Sequence, residues 1–243
     1  MARLHRPKAG FWIRAWVMIL FPVTSTFFRL RWRNLDRVPA PSEGGVLIAI
    51  NHLSHADTTL MARLVWSSGR VPRFMIKAGV FGWPVIGYMM KGAGQIPVSR
   101  GTDDAARSLR DAVAALGRGE AVVIYPEGTT TKDPRNWPMQ ARTGIARLVL
   151  LAPDIPVVAI GQWGPHKDGG FRLSRLGRRR TSLASVGEPL DFSRFRGKEP
   201  TGELLREITD EIMSAVREEV ATLRGEPAPE EFLVASHKYV DKK

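Results

Sequence analysis

Cysteine is absent from this 243-residue chain, and histidine occurs only five times. Without cysteine there is no disulfide framework, no thiolate metal site and no thiol nucleophile. The scattered histidines show no spacing typical of a zinc site, so we expect no metal ion. The chemistry of the protein must therefore depend on oxygen and nitrogen groups.

A long uninterrupted apolar run is also missing. The stretch GFWIRAWVMILFPVTSTFF, residues 10–28, is interrupted by Arg14 and Pro22. It falls short of the ~20 apolar residues that a membrane crossing needs, and no A-x-A cleavage site follows it. We interpret residues 1–39 as an interfacial membrane anchor, with Trp12 and Trp16 at headgroup depth. A buried core helix with a basic flank is the alternative.

Carboxylates are scarce relative to cations, which gives a formal net charge of +12. Such a chain is attracted to nucleic acid, anionic lipid or phosphorylated small molecules. The arginines of the first forty residues surround an apolar segment, and no zinc module, RNA-recognition motif or stacking platform is visible. We therefore expect an anionic membrane surface as partner, at the cytoplasmic face of the cell membrane with peripheral or monotopic attachment, and no nucleic acid.

Strand and helix patterns alternate along the rest of the chain. Buried strands are predicted at residues 46–50, 73–77, 94–98, 121–125 and 155–163, and helices at 102–117, 140–151 and 202–224. This alternation predicts an α/β domain with a mostly parallel central sheet flanked by helices, spanning residues 40–225. Residues 226–243 form a C-terminal tail, and residues 78–93 an apolar loop or broken helix.

The first buried strand, VLIAI, ends in NHLSHADTTL. Ser54 and Asp57 have the spacing of a capping box, so His52 lies in a strand-to-helix turn at the carboxyl end of a strand, where open α/β sheets bind ligands. Asp57 is close enough to hold one imidazole nitrogen, which leaves the other as a general base. In the alternative, Asp57 only caps its helix and His52 only satisfies backbone groups. His55 is a competing candidate.

Other strand ends carry groups suited to an anion. The segment YPEGT places Glu127, Gly128 and Thr129 after a second buried strand, in a turn whose amides are suited to bind anions. Lys77 and Arg100 each lie at the end of another strand, where a cation would meet a phosphate. The sequence therefore predicts an anionic substrate.

Four segments in order, NHLSHAD, GQIPVSRG, YPEGTTT and IPVVAI, resemble the motif blocks of the glycerolphosphate and lysophosphatidic acid acyltransferases, the PlsC-like family. The resemblance implies their fold and acyl transfer from acyl-CoA or acyl-carrier protein to 1-acylglycerol 3-phosphate, giving phosphatidic acid. It implies that His52 activates the acceptor hydroxyl, that Asp57 orients His52, and that no cofactor is needed beyond the acyl donor. The absence of cysteine and of a G-x-S-x-G elbow agrees with direct attack and argues against a lipid esterase.

The resemblance also implies that Arg100, Glu127, Gly128 and Thr129 form the acceptor phosphate site. Ser99 and Thr130 depart from the family pattern, which has an aspartate and an arginine there, and Lys77, Lys132 or Arg135 are candidates to replace the missing cation. Glycerol 3-phosphate, another lysophospholipid or a glycolipid therefore remain alternative acceptors. The aromatic and methionine residues near 81–90 line an acyl-chain tunnel in one interpretation and are core residues in the other.

Overall fold

The computed structural model describes residues 10–99, 102–164 and 179–234. Their strands form one sheet in the order β1-β7-β6-β2-β5-β3-β4. The strands are β1 (Phe28–Arg33), β2 (Val46–Ile50), β3 (Pro72–Lys77), β4 (Ile96–Val98), β5 (Ala121–Ile124), β6 (Val157–Trp163) and β7 (Arg180–Leu190). The helices are α1 (Phe11–Phe27), α2 (Asp57–Ser67), α3 (Ile86–Gly92), α4 (Thr102–Gly117), α5 (Gly144–Leu151) and α6 (Gly202–Arg224).

The sheet is parallel except where β6 and β7 pair. Every residue of β2 is buried, because helices cover both faces of a central parallel strand. The predicted α/β fold with a mostly parallel sheet is therefore confirmed. The positions 78–93 form a 3-10 turn followed by α3, which matches the predicted broken helix.

Two hydrophobic cores lie on opposite faces of the sheet. On one face, Ile48 and Val123 pack with Leu60 and Leu64 of α2. On the other face, residues of β2 and β5 pack with α4, α5 and α6: Leu47, Val122, Ala112, Leu148 and Ile208. The alternation of side chains along each strand produces this division.

Two strands were not predicted from the sequence. Phe28–Arg33, inside the predicted anchor segment 1–39, is a sheet strand that pairs with β7. The β7 sequence RTSLASVGEPL mixes polar residues with glycine and proline, so it lacks the apolar run that identified the other strands. The division at residue 39 stays a prediction, but β1 belongs to the sheet.

The predicted helix at 140–151 begins later, at Gly144. The N–H groups of Gln140 and Arg142 donate instead to the carbonyls of Leu233 and Pro126. These tertiary hydrogen bonds connect residue 140 to the segment that follows α6 and residue 142 to the turn that follows β5. In the described residues no helix has both the length and the apolar character to cross a membrane.

Arg70 fixes the Pro/Gly-rich segment before β2 to the sheet. Its guanidinium is buried and donates hydrogen bonds to four carbonyls, those of Pro39, Ala40, Gly44 and Gly119. The fork of five N–H donors makes this arrangement possible, and a lysine cannot reproduce it.

We predict that Arg70→Lys lowers the free energy of unfolding by about 2–4 kcal/mol, because buried carbonyls lose charged donors. Urea denaturation measures the change. Arg110→Lys, on the exposed face of α4, is the control and should alter stability by less than about 0.5 kcal/mol. Equal stability of Arg70→Lys and wild type would contradict this account.

Candidate active site

The Asp57 carboxylate is the most constrained group at the carboxyl end of β2. It is completely buried, at 0% exposure. Oδ2 accepts the N–H groups of Leu53 and Ser54 at 2.6 and 2.8 Å, and Oδ1 accepts the Ser54 hydroxyl at 2.9 Å. The predicted capping box forms in part, since Asp57 reaches back to Ser54 but the Ser54 hydroxyl accepts the N–H of Ala56. The carboxylate therefore shapes the turn that carries His52.

His52 is the fourth partner of this carboxylate. Its Nδ1 lies 3.0 Å from Asp57 Oδ2, so Nδ1 carries the proton and Nε2 is the basic nitrogen. The imidazole stacks on the Tyr125 ring with centroids 4.3 Å apart. Its side chain is 15% exposed, which leaves the ring accessible to a substrate. His55 is exposed, its ring centroid 6.5 Å from that of His52.

Asn51 fixes the point where the chain leaves the sheet. Its side-chain amide donates to the Gln162 carbonyl and accepts the Gln162 N–H, while the Gln162 amide donates to the Asn51 carbonyl. Both residues are buried. This pair joins β2 to β6 beyond the last ladder bonds, and so holds the backbone directly before His52.

Glu127 lies in the turn after β5, and its carboxyl group accepts hydrogen bonds from two backbone segments. Its Oε1 accepts the His52 N–H at 2.9 Å, and its Oε2 accepts the Met139 N–H at 3.0 Å. The side chain is buried, and burial raises the pKa of Glu127 to about 8 despite these two donors. Its carboxyl group therefore connects the His52 turn to the following loop, and the expected contact with a substrate phosphate stays a prediction.

A cavity of about 530 Å³ lies beside the Tyr125 ring. Three cationic side chains line it, those of Lys77, Arg142 and Arg147, and no carboxylate does so among the described residues. Thr143 and Gly144 at the start of α5 also line it, where the helix dipole favours an anion. The cavity is thus suited to a phosphate group.

The structure brings together only part of the predicted anion site. Lys77 and Gly128 line the cavity together with Ser99. Thr129 is exposed on the turn, and Arg100 lies outside the described residues. Lys132 and Arg135, candidates for the missing family arginine, are not among the described residues that line it.

Arg142 is the functional candidate that sequence reasoning missed. Its guanidinium packs beside Gly128, at a φ of +68°, so closely that a Cβ there would lie 3.3 Å from Arg142 Nε. It therefore places a cation beside the turn that carries Thr130, the position at which the family pattern has an arginine. The sequence carried no clear signal for it, because Arg142 lay inside the predicted helix 140–151, whereas α5 begins at Gly144.

A second, apolar cavity of about 120 Å³ lies on the other face of β3. Side chains of α1, α2 and α3 surround it, including Trp16, Leu20, Ala62, Trp66 and Met90. Of residues 81–90, the suggested tunnel residues, only Met90 lines this cavity. Trp83 and Tyr88 are instead exposed at the surface.

We predict that Glu127→Gln changes how stability depends on pH. A pKa raised by folding means that the native state keeps a proton that the unfolded chain loses between about pH 4.5 and 8. Wild-type stability should therefore fall relative to the variant as pH rises through this range, and the difference should level off above it.

Urea denaturation of both proteins between pH 5 and 9 measures this difference. At pH 5 the variant should be less stable by about 1–3 kcal/mol, because one glutamine oxygen cannot accept both N–H groups. A stability difference that is the same at every pH would show that Glu127 is ionised throughout.

This chain is similar to known proteins in sequence and in fold. A family model described as Acyltransferase matches residues 29–163. A chloroplastic 1-acyl-sn-glycerol-3-phosphate acyltransferase of Arabidopsis thaliana is 28% identical over 157 residues, which cover 60% of this chain and 42% of that protein. A lyso-ornithine lipid O-acyltransferase of Rhizobium meliloti is 26% identical over 220 residues, covering 76% of this chain and 71% of the relative.

The crystal structure of the 1-acyl-sn-glycerophosphate acyltransferase PlsC from Thermotoga maritima has the same fold. It superposes with a TM-score of 0.59 at 18% identity, covering 89% of this chain and 84% of that one. The chain spans 42% and 44% of the two chloroplast relatives that it matches. Because the family match extends over more than half of its residues, this chain belongs to the Acyltransferase family.

Proposed function

We propose that the protein transfers a fatty acyl group from acyl-CoA or acyl-carrier protein to the free hydroxyl of 1-acylglycerol 3-phosphate, forming phosphatidic acid. The observation that carries this proposal is the oriented His52–Asp57 pair next to a cavity lined by three cations. A general base and a phosphate site in neighbouring positions are what a phosphorylated alcohol acceptor requires.

In the proposed reaction, His52 Nε2 accepts the proton of the acceptor hydroxyl as its oxygen attacks the thioester carbonyl. The new C–O bond forms, and the carbonyl electrons move to the oxygen. When they return, the C–S bond breaks, and the thiolate takes the proton from the imidazolium. Asp57 stabilises the imidazolium through Nδ1 without taking its proton.

Stabilisation of the oxyanion depends on N–H groups near the His52 ring. The Gly128 N–H donates to the Tyr125 carbonyl within the turn, and the Thr131 N–H donates to the His52 carbonyl. We assign the oxyanion to the two turn amides between them, those of Thr129 and Thr130. Glu127 acts as a positioning residue, because it fixes the His52 backbone from the same turn.

A lyso-ornithine lipid is the second candidate acceptor, because the Rhizobium meliloti relative covers more of this chain than the chloroplast enzyme does. An ornithine headgroup carries an ammonium as well as a carboxylate. The cavity offers Lys77, Arg142 and Arg147 but no carboxylate from the described ranges to pair with an ammonium. Electrostatic complementarity therefore favours the phosphate acceptor.

Transfer of a labelled acyl group in mixed micelles tests the function. Either thioester donor is offered with 1-acylglycerol 3-phosphate, glycerol 3-phosphate or a lyso-ornithine lipid as the acceptor. We expect 1-acylglycerol 3-phosphate to be acylated faster than the other two acceptors, which gives phosphatidic acid. Faster acylation of the lyso-ornithine lipid would show that the proposed acceptor is wrong. Release of the acyl group without any acceptor would indicate an esterase.

We predict that Arg142→Gln raises KM for 1-acylglycerol 3-phosphate about 10–100-fold with little change in kcat, since a charged hydrogen bond contributes about 1.5–3 kcal/mol. Steady-state kinetics measure both constants. The control is Arg110→Gln, an exposed cation of α4 that does not line the cavity. An unchanged KM in Arg142→Gln would place the phosphate elsewhere.

We also propose that α1 lies in the membrane interface. Its surface exposes Phe11, Met18 and Ile19, and the helix carries Arg14 but no carboxylate. In a shallow interfacial position, the apolar face of α1 contacts acyl chains and Arg14 contacts the headgroups. Replacing Phe11 and Met18 together by serine should lower sedimentation with anionic vesicles, and unchanged sedimentation would contradict the proposal. Deleting residues 1–39 is a poor test, because it removes β1 from the sheet.

A further inference from the structure

Residues 83–88 follow the 3-10 turn after β3 and include the first residues of α3. They expose apolar side chains in close succession. We call this segment the tip. Trp83 is 58% exposed, Val85 72% and Tyr88 67%. Ile86 is exposed as well, and Pro84 lies between them. Single exposed apolar residues are ordinary, but a contiguous group marks an interaction surface.

The backbone of the tip is strained in a way that presents these side chains outward. Val85 has φ +62° and ψ −58°, and the Ile86 N–H donates to the Pro84 carbonyl at 2.6 Å. This is the rare, strained form of γ-turn with a positive φ at its centre. A β-branched residue is among the least suited to that position, and such strain concentrates at functional sites.

Packing behind the tip holds this conformation in place. Gly87 is buried, and a Cβ there would collide with the Phe81 carbonyl. The Gly87 N–H donates to the Trp83 carbonyl at 2.8 Å, and the Met89 N–H donates to the Val85 carbonyl at 2.9 Å. The exposed side chains therefore sit on a closed backbone turn that is anchored from below.

The tip adjoins the exposed side of α1. The Tyr88 ring meets the Trp12 ring edge-on, with centroids 5.1 Å apart. Trp12 also covers Gly92 of α3 so tightly that no Cβ would fit there. Two elements distant in sequence thus expose apolar residues next to each other.

Charge identifies the kind of partner. No aspartate or glutamate occurs before Asp36, or between Asp57 and Asp103, so neither α1 nor the tip contributes a carboxylate. Exposed cations flank the apolar groups, with Arg14 on α1 and Lys91 on α3. Exposed aromatic rings beside cations and without carboxylates match the headgroup region of an anionic bilayer.

The apolar cavity lies between these same elements. Ile13, Trp16 and Val17 of α1 line one side of it, and Met90 and Ala93 beyond the tip line another. A bilayer in contact with both α1 and the tip would lie beside α1 and α3, two of the elements that surround this cavity.

We propose that the tip, residues 83–88, is a second membrane-inserting element that enters the headgroup region of an anionic bilayer beside α1. Trp83, Val85 and Tyr88 supply the apolar contact, and Arg14 and Lys91 bind lipid phosphates. This contact does not depend on acyl transfer, so it can be tested on vesicles that contain neither acyl donor nor acceptor.

The absence of cysteine allows a single probe to be placed on the tip. Val85→Cys in the full chain is labelled with an environment-sensitive fluorophore and mixed with vesicles of phosphatidylglycerol and phosphatidylcholine. We expect a blue shift of its emission, and quenching by lipids that carry a spin label near the headgroup. Leu151→Cys is the matched control, since Leu151 is 56% exposed at the end of α5, and its emission should not change.

A second variant tests the contribution of the tip to binding. Trp83→Ser, Val85→Gly and Tyr88→Ser are combined, where glycine also relieves the positive φ and so preserves the turn. Sedimentation with the same vesicles should fall about tenfold or more relative to wild type, whereas Leu151→Ser should sediment as wild type does.

Three results would overturn the proposal. In the first, the probe at Val85 keeps its aqueous emission while the protein sediments with vesicles. In the second, the protein does not bind anionic vesicles at all. In the third, the probe shifts without lipid and in proportion to protein concentration, which would show that a second copy of the chain covers the tip.

Discussion

The buried Asp57 carboxylate is the constraint on which the rest of the site depends. It accepts two backbone N–H groups, one hydroxyl and the His52 imidazole, all within five residues of chain. A buried carboxylate is tolerated only when its oxygens are satisfied in this way. The same four bonds therefore close the turn between β2 and α2 and hold His52 Nδ1. Replacing this carboxylate would disturb structure and chemistry together.

The two cavities lie on opposite faces of β3, because successive side chains of a strand point to opposite sides of the sheet. Phe74 and Ile76 of β3 line the apolar cavity, and Met75 and Lys77 line the cationic one. Tyr125 connects this strand to His52, because its ring stacks on the imidazole and approaches Phe74. An acceptor with an apolar chain and a phosphate headgroup matches such a division, which is how the fold supports the proposed reaction.

Local patterns were enough to predict the centre of the site, and distant contacts explain what was missed. His52 and Asp57 are five residues apart after an apolar strand, so their pairing follows from the turn alone. Arg142 reaches Gly128 only because residues 140–142 are held by the Pro126 and Leu233 carbonyls. Likewise, the hydrogen bond from the His52 N–H to Glu127 crosses 75 positions of sequence. The β1 strand was hidden inside an anchor-like segment, because its place in the sheet depends on pairing with β7, which is distant in sequence.

The rate of acyl transfer by His52→Ala tests the central claim most directly, with His55→Ala as the neighbouring control. Both variants are first shown to unfold at the wild-type urea midpoint, so that only chemistry is compared. The account predicts that His52→Ala loses about 10²–10⁴-fold in kcat, the contribution of a general base, while His55→Ala keeps the wild-type rate. A His52→Ala enzyme that transfers acyl groups as fast as the wild type would contradict it.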